Sequence, residues 1–173
     1  RHIVFGWNDG LVSNMSIIAG FSGALVSKDI IILAGLISMI GGGISMSAGT
    51  YISTKSQMEF YRHEILNNKK KTKSFSFYDN PLKASIFMFF SFIVGGLIPL
   101  VPVFFMDNDF LLLSTIFSLV FLVILGYFRS HFTDRPAMKS VIESVFVGVF
   151  AAIVSYYFGE FADYIIGNGI IWK

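Results

Sequence analysis

Residues 82–128 read LKASIFMFFSFIVGGLIPLVPVFFMDNDFLLLSTIFSLVFLVILGYF. Two apolar runs, 82–106 and 111–128, are parted by a short turn carrying Asp107 and Asp109, and Lys83 is the one further charge in the stretch. A hydrocarbon core of ~30 Å takes about 20 apolar residues of helix to cross. Lipid offers no partner for a backbone N–H or C=O, so such a run closes its own hydrogen bonds as an α-helix. A membrane β-barrel would instead alternate polar and apolar residues in strands of about ten residues, and no such pattern occurs here. The stretch therefore predicts two transmembrane helices joined by a tight turn.

Working outward, three more runs of the same kind appear. One covers about 3–26 and stops at Ser27, Lys28 and Asp29. The next starts at Ile30, stays small and apolar to about Ser53, then continues as a polar helical pattern to Leu66. The last covers about 141–166. The reading is an all-α, polytopic membrane protein, a single transmembrane domain over 1–173 with helices at about 3–26, 30–66, 82–106, 111–128 and 141–166. Composition agrees: 54% of the 173 residues are hydrophobic and 14% charged, against about 25% charged in a soluble domain. That excludes a water-soluble globule and a disordered chain. The first run is too long and too rich in Gly and Ser for a signal peptide, and it has no cleavage-site pattern. With no cysteine in the chain, a disulfide framework, a thiolate metal site and a cysteine nucleophile are excluded.

Lys and Arg set the orientation. Arg1, Lys55, Arg62, Lys69, Lys70, Lys71, Lys73, Lys83, Arg129, Arg135 and Lys139 fall on one side, 11 of the 13, and only Lys28 and Lys173 on the other. The N-terminus is expected in the cytosol and the C-terminus outside or in a lumen. The lysine-rich segment between the second and third helices reads as a solvated loop that sets topology and touches anionic lipid headgroups. No nucleic-acid partner is expected. An odd number of spans argues against a two-repeat transporter.

Polar atoms inside the spans carry the functional reading. Asp9 lies only a few residues into the first helix, and an aspartate deep in a span costs roughly 2.5–3.5 kcal/mol on insertion scales. Asn8 and Asp9 are either a metal or proton site or a cap for their own helix. Asp9, Ser13, Ser16 and Gly20 recur at helical spacing, and this polar stripe favours the first. On the second helix Gly41, Ser45, Gly49 and Ser53 recur every four residues, a ridge that lets two backbones approach closely. Beside it Met39 and Met46 share a face. Methionine in an apolar helix is commonly filler, yet a thioether next to a carboxylate suits late first-row divalent ions and is a poor ligand for Mg²⁺ or Ca²⁺. Pro99 and Pro102, after Gly95 and Gly96, each remove a donor from the third helix, which predicts either a kinked core helix or one locally opened along a cavity. Glu59, His63 and Glu64 stand where the second helix leaves the membrane, as a helix face paired with Arg62 or as ligands that capture metal from the cytosol. Glu143 has the spacing to pair with Lys139. There is no Gly-rich phosphate loop, no H-E-x-x-H and no Ser/His/Asp set, so no enzyme is expected.

Residues 6–12 (GWNDGLV), 34–36 (AGL), 44–51 (ISMSAGTY), 55–57 (KSQ), Asn80-Pro81 and 96–99 (GLIP) resemble the vacuolar iron transporter family over essentially the whole chain. The resemblance implies a homodimer of five-helix protomers with the ion path between the first and second helices of both copies. It implies export of Fe²⁺, and of Mn²⁺ in many members, from the cytosol to a vacuole or the exterior in exchange for protons. The host would be a cell membrane or a vacuole-like organelle membrane. By motif position Asp9 is the pathway carboxylate and Met46 the pathway thioether. Iron is a transported substrate here, with no permanently bound cofactor. Three departures stand out: Ser38 replaces an acid of plant-type members, Thr50 replaces a glutamate of many prokaryotic ones, and the Glu-rich cytosolic insert is replaced by the short lysine-rich loop. Those missing acids keep two alternatives open: a non-transporting dimerisation or sensor module, and a proton or Na⁺ pathway that uses no transition metal.

Overall fold

The computed structural model describes residues 2–68, 80–106, 109–133 and 136–167. They form five helices: α1 (His2–Gly23), α2 (Lys28–Asn68), α3 (Pro81–Phe105), α4 (Phe110–Thr133) and α5 (Ala137–Gly167). There is no strand among the described residues. Arg1, the lysines at 69–73, Asp107, Arg135 and residues 168–173, on which part of the charge reading rests, lie outside the described residues, as does the side chain of Glu64.

The helix ends follow local chemistry more closely than the apolar runs do. α1 stops at Gly23 because the chain closes on itself there. Val26 N–H donates to Phe21 O at 3.0 Å and Leu25 N–H to Ser22 O at 3.2 Å, with Leu25 in the left-handed region at φ 53°. This is the paired closure that ends many helices, built here on a leucine where glycine is usual. Ser27 O then accepts from Ile30 and Ile31 to open α2. α3 begins with Pro81 in its first turn and Asn80 Oδ1 accepting from Leu82 N–H at 3.0 Å, which satisfies a donor the helix itself leaves open. α4 runs past Phe128 to Thr133 and α5 starts at Ala137, because a helix does not stop where the apolar run meets headgroups. Arg129 on that extension meets Glu143 of α5 at 3.5 Å, both half-exposed. Glu143 thus bridges two helices and does not depend on Lys139 within its own.

α2, α3, α4 and α5 are each long and apolar enough to cross a membrane, and the chain is a multi-pass membrane protein. α1 has the length, about 33 Å at 1.5 Å per residue, but Asn8, Asp9, Asn14 and its glycines and serines leave it no stretch as continuously apolar as those four helices have. Its position explains how a polar helix is accommodated. α1 packs against all four other helices, whereas α2 touches α1 and α3 but neither α4 nor α5, and α3 does not reach α5. α2, α3, α4 and α5 therefore form an arc around α1 that is open between α2 and α5.

Small residues let α1 sit this close. A side chain on Gly10 would run into the backbone of Phe92, and one on Gly95 into the carbonyl of Trp7. On the α5 side, Gly159 lies against the carbonyl of Gly20. Leu11 packs with Ile98 and Leu122, Met15 and Ala19 pack with Ala152, and Ile18 packs with Ile31, Met39, Leu100 and Val103. All these α1 residues are buried.

Candidate functional site

Asp9, Ser13 and Ser16 lie on the half of α1 turned away from Leu11 and Met15, as 3.6-residue spacing requires. All three are half-buried, and so is Asn8. The polar stripe is thus half-covered from Asp9 to Ser16, and at its far end Gly20 packs against Ser155 and Gly159 of α5.

α3 gives a common scale for the heights of α1 and α2. Gly6 of α1 faces Met88 and Ser91, and Gly10 faces Phe92 and Gly96, so α1 and α3 run parallel. Gly35 of α2 faces Leu100, Gly42 faces Phe92 and Gly43 faces Phe89, so α2 runs the opposite way. Asp9, next to Gly10, stands within a turn of Phe92. Met46, three residues past Gly43, stands about 4.5 Å beyond the level of Phe89, on the side away from Phe92. A Cα–Cβ bond tilts toward the N-terminus of its own helix. In two antiparallel helices that tilt brings the Asp9 and Met46 side chains toward the same level. Met46 is half-buried, whereas Met39 is only 3% exposed inside the core, so Met46 is the more accessible of the two sulfurs.

The ridge on α2 has an instructive environment. Gly41, Ser45, Gly49 and Ser53 are all exposed, and nothing lies within 4 Å of where a side chain would start on Gly41 or Gly49. The close approach that their spacing permits is not used within the chain. The α2 glycines that pack against α3 are Gly35, Gly42 and Gly43, which the four-residue spacing did not single out.

The remaining singled-out residues are spread out. Glu59 and His63 are exposed on the α2 extension beyond Ser53. Pro99 and Pro102 are buried, and α3 continues as helix through both. Ser114 of α4 donates to Pro99 O at 2.7 Å, tying the proline turn to the next helix. Thr50, at the position of a family acid, donates to Met46 O at 2.8 Å within its own helix. No group of three or more acids or histidines suited to a metal ion gathers among the described residues, so the site one chain offers centres on a single acid and a thioether.

One residue escaped the sequence reading. Asn14 is 1% exposed, and its Nδ2 donates to Gly96 O at 2.8 Å, while its Oδ1 has no partner among the described residues. An asparagine in the middle of an apolar helix was a visible signal, but its partner lies 82 positions away and only the packing reveals it.

Comparison with known proteins points one way. The model of the VIT family matches residues 1–76 and 71–160. Vacuolar iron transporter 1 of Eucalyptus grandis is 24% identical over 207 aligned residues, covering 90% of this chain and 83% of that protein. The Arabidopsis thaliana protein of the same name is 24% identical over an equal length and the same shares. Vacuolar iron transporter homolog 4 of Arabidopsis thaliana is 27% identical over 164 residues, 91% of this chain and 81% of that protein.

Proposed function

The chain belongs to the VIT family, and on that premise we propose that it moves divalent iron, with manganese as a second substrate, out of the cytosol in exchange for protons. The activity is transport, with the metal as cargo and no resident cofactor. The observation that carries the reading is that α1 and α2 run in opposite directions along α3, so that the half-buried acid of α1, Asp9, and the half-buried thioether of α2, Met46, lie toward the same end and on a partly open side of the bundle.

The path runs along that side. Glu59, His63 and Glu64 on the α2 extension collect hydrated metal. The ion sheds water and binds Asp9, with the Met46 sulfur supplying preference for a late first-row ion over Mg²⁺ or Ca²⁺. Asn8 flanks the carboxylate, and Met39 backs the same face of α2 from within the core. Arrival of a proton on Asp9 cancels the charge that holds the metal and releases it outward.

One carboxylate is a weak cage for a divalent ion. A second copy joined through the unpacked ridge of Gly41, Ser45 and Gly49 would bring a second Asp9 and a second Met46 to the same axis. Small residues at such spacing are how membrane helices approach without a hydrophobic driving force, and a side chain on Gly41 or Gly49 would meet nothing within 4 Å among the described residues. The surplus of Lys and Arg on the α2–α3 and α4–α5 side puts the N-terminus in the cytosol, in a cell membrane or a vacuole-like organelle membrane.

The test is uptake of Fe²⁺ by proteoliposomes. Asp9→Asn is expected to abolish it, and Met46→Leu to lower it at least tenfold and to erode the preference over Mg²⁺. Uptake that survives both substitutions unchanged would sink the assignment and favour the dimerisation or sensor reading.

A further inference from the structure

The side chains of Asn14 and Met39 converge on one backbone position. A side chain begun on Gly96 would meet Met39 Cγ at 2.8 Å and Asn14 Nδ2 at 2.9 Å. Asn14 and Met39 thus use the space that the glycine leaves. Asn14 also donates to Gly96 O at 2.8 Å. Around this point α1, α2 and α3 meet, in a core lined by Ile18 and Leu100.

The position of this point along the bundle matters. Asn14 lies five residues after Asp9 on α1, about 7.5 Å along the axis. Met39 lies seven residues before Met46 on α2, about 10.5 Å along a helix that runs the other way. Measured from this point, Asp9 and Met46 therefore lie in the same direction, toward the same end of the bundle. Close packing already resists sliding of α1 along α3, and a buried amide adds a directional bond to that packing. A hydrogen bond from a buried amide is lost once its length and angle are exceeded, and in lipid no water replaces it.

We propose that Asn14 is a positioning residue for the metal path, its amide on Gly96 O fixing the height of α1 so that Asp9 stands level with the Met46 sulfur. The proposal rests on the reading of Asp9 and Met46 as the metal's ligands. Only the Nδ2 side of the amide is engaged: the Oδ1 has no partner among the described residues, and a buried acceptor left open costs about 1–3 kcal/mol. A leucine of similar shape would cost nothing of the kind in this core.

The experiment uses the full chain in detergent, loaded with Fe²⁺ and measured by X-ray absorption at the iron edge, alongside uptake as a function of Fe²⁺ concentration. Two variants remove the bond. Asn14→Leu keeps the shape. Asn14→Ser keeps a small polar group whose hydroxyl turns to the carbonyl one turn back in its own helix, and it guards against an overpacked leucine. The unmodified protein is expected to show a sulfur neighbour to iron that Met46→Leu removes. Both Asn14 variants are expected to keep the oxygen neighbours, lose or lengthen the sulfur one, and raise the half-saturating Fe²⁺ concentration by about 10- to 100-fold, the range for supports of metal ligands. Folded Asn14 variants with an unchanged sulfur neighbour and unchanged half-saturation would overturn the positioning role while leaving Asp9 and Met46 in place. An unmodified protein whose iron has no sulfur neighbour would overturn the ligand reading and this inference together.

Discussion

Asp9 and Asn14 sit on one helix, and they divide what a sequence discloses from what it hides. An acid inside an apolar run is costly wherever it points, so Asp9 was singled out from its type and depth alone. The cost of Asn14 depends on what it meets, and its partner, the Gly96 carbonyl, is brought near only by the α1–α3 crossing. Met46 and Met39 were inseparable by spacing, and burial now separates them: one sulfur is half-buried and the other sealed in the core. Ser114 makes a similar long-range bond, its hydroxyl donating to Pro99 O at 2.7 Å while itself 1% exposed. Ser114→Ala is expected to lower stability by about 0.6–1 kcal/mol, the usual worth of a hydrogen bond between membrane helices. The check is a shift in the unfolding midpoint on SDS titration of the micellar protein.

At the scale of the element, every helix was legible because lipid forces backbone self-satisfaction, but the ends were not. An apolar run measures the thickness of the hydrocarbon, while a helix ends where its terminal groups find other partners, as at Leu25 and Asn80. Leu25 takes up a left-handed conformation that costs a side-chain-bearing residue about 1–2 kcal/mol, and it is 84% exposed. Leu25→Gly is therefore expected to stabilise the protein by up to about 1 kcal/mol, seen as a higher midpoint in the same titration. The glycines divide in an equally testable way. A methyl on Gly159 would run into the Gly20 carbonyl, whereas one on Gly49 meets nothing within the chain. Gly159→Ala is expected to destabilise the protomer by about 1–3 kcal/mol. Gly49→Leu is expected to leave the protomer's midpoint unchanged but to convert the proposed dimer to monomer in light scattering coupled to size exclusion. A protomer weakened equally by both substitutions would contradict the division.

For the molecule as a whole, the number and kind of helices could be read from the chain, but their arrangement could not. Nothing in the run 3–26 announces that this helix, interrupted by Asn8, Asp9 and Asn14, is the innermost one, touching all four others. The reason becomes physical once the arc is known: α2, α3, α4 and α5 together cover most of the circumference of α1, so its polar residues meet little lipid. The orientation is tested without disturbing the fold, since the chain contains no cysteine. A single cysteine at Leu25, exposed between α1 and α2, is expected to react with an impermeant maleimide from outside intact cells. One at Ser56, exposed on the α2 extension, is expected to react only after the membrane is opened. The reverse pattern would invert the direction of transport.

The central claim is that one cation is held between the α1 carboxylate and the α2 thioether, and the most direct measurement is a structure of the iron-loaded protein with anomalous scattering collected at the iron edge. The account predicts a single strong peak between Asp9 and Met46, on the axis relating two copies, that vanishes in Asp9→Asn. A peak bound only at Glu59 and His63, or none within coordinating reach of Asp9 while Fe²⁺ transport continues, would contradict it.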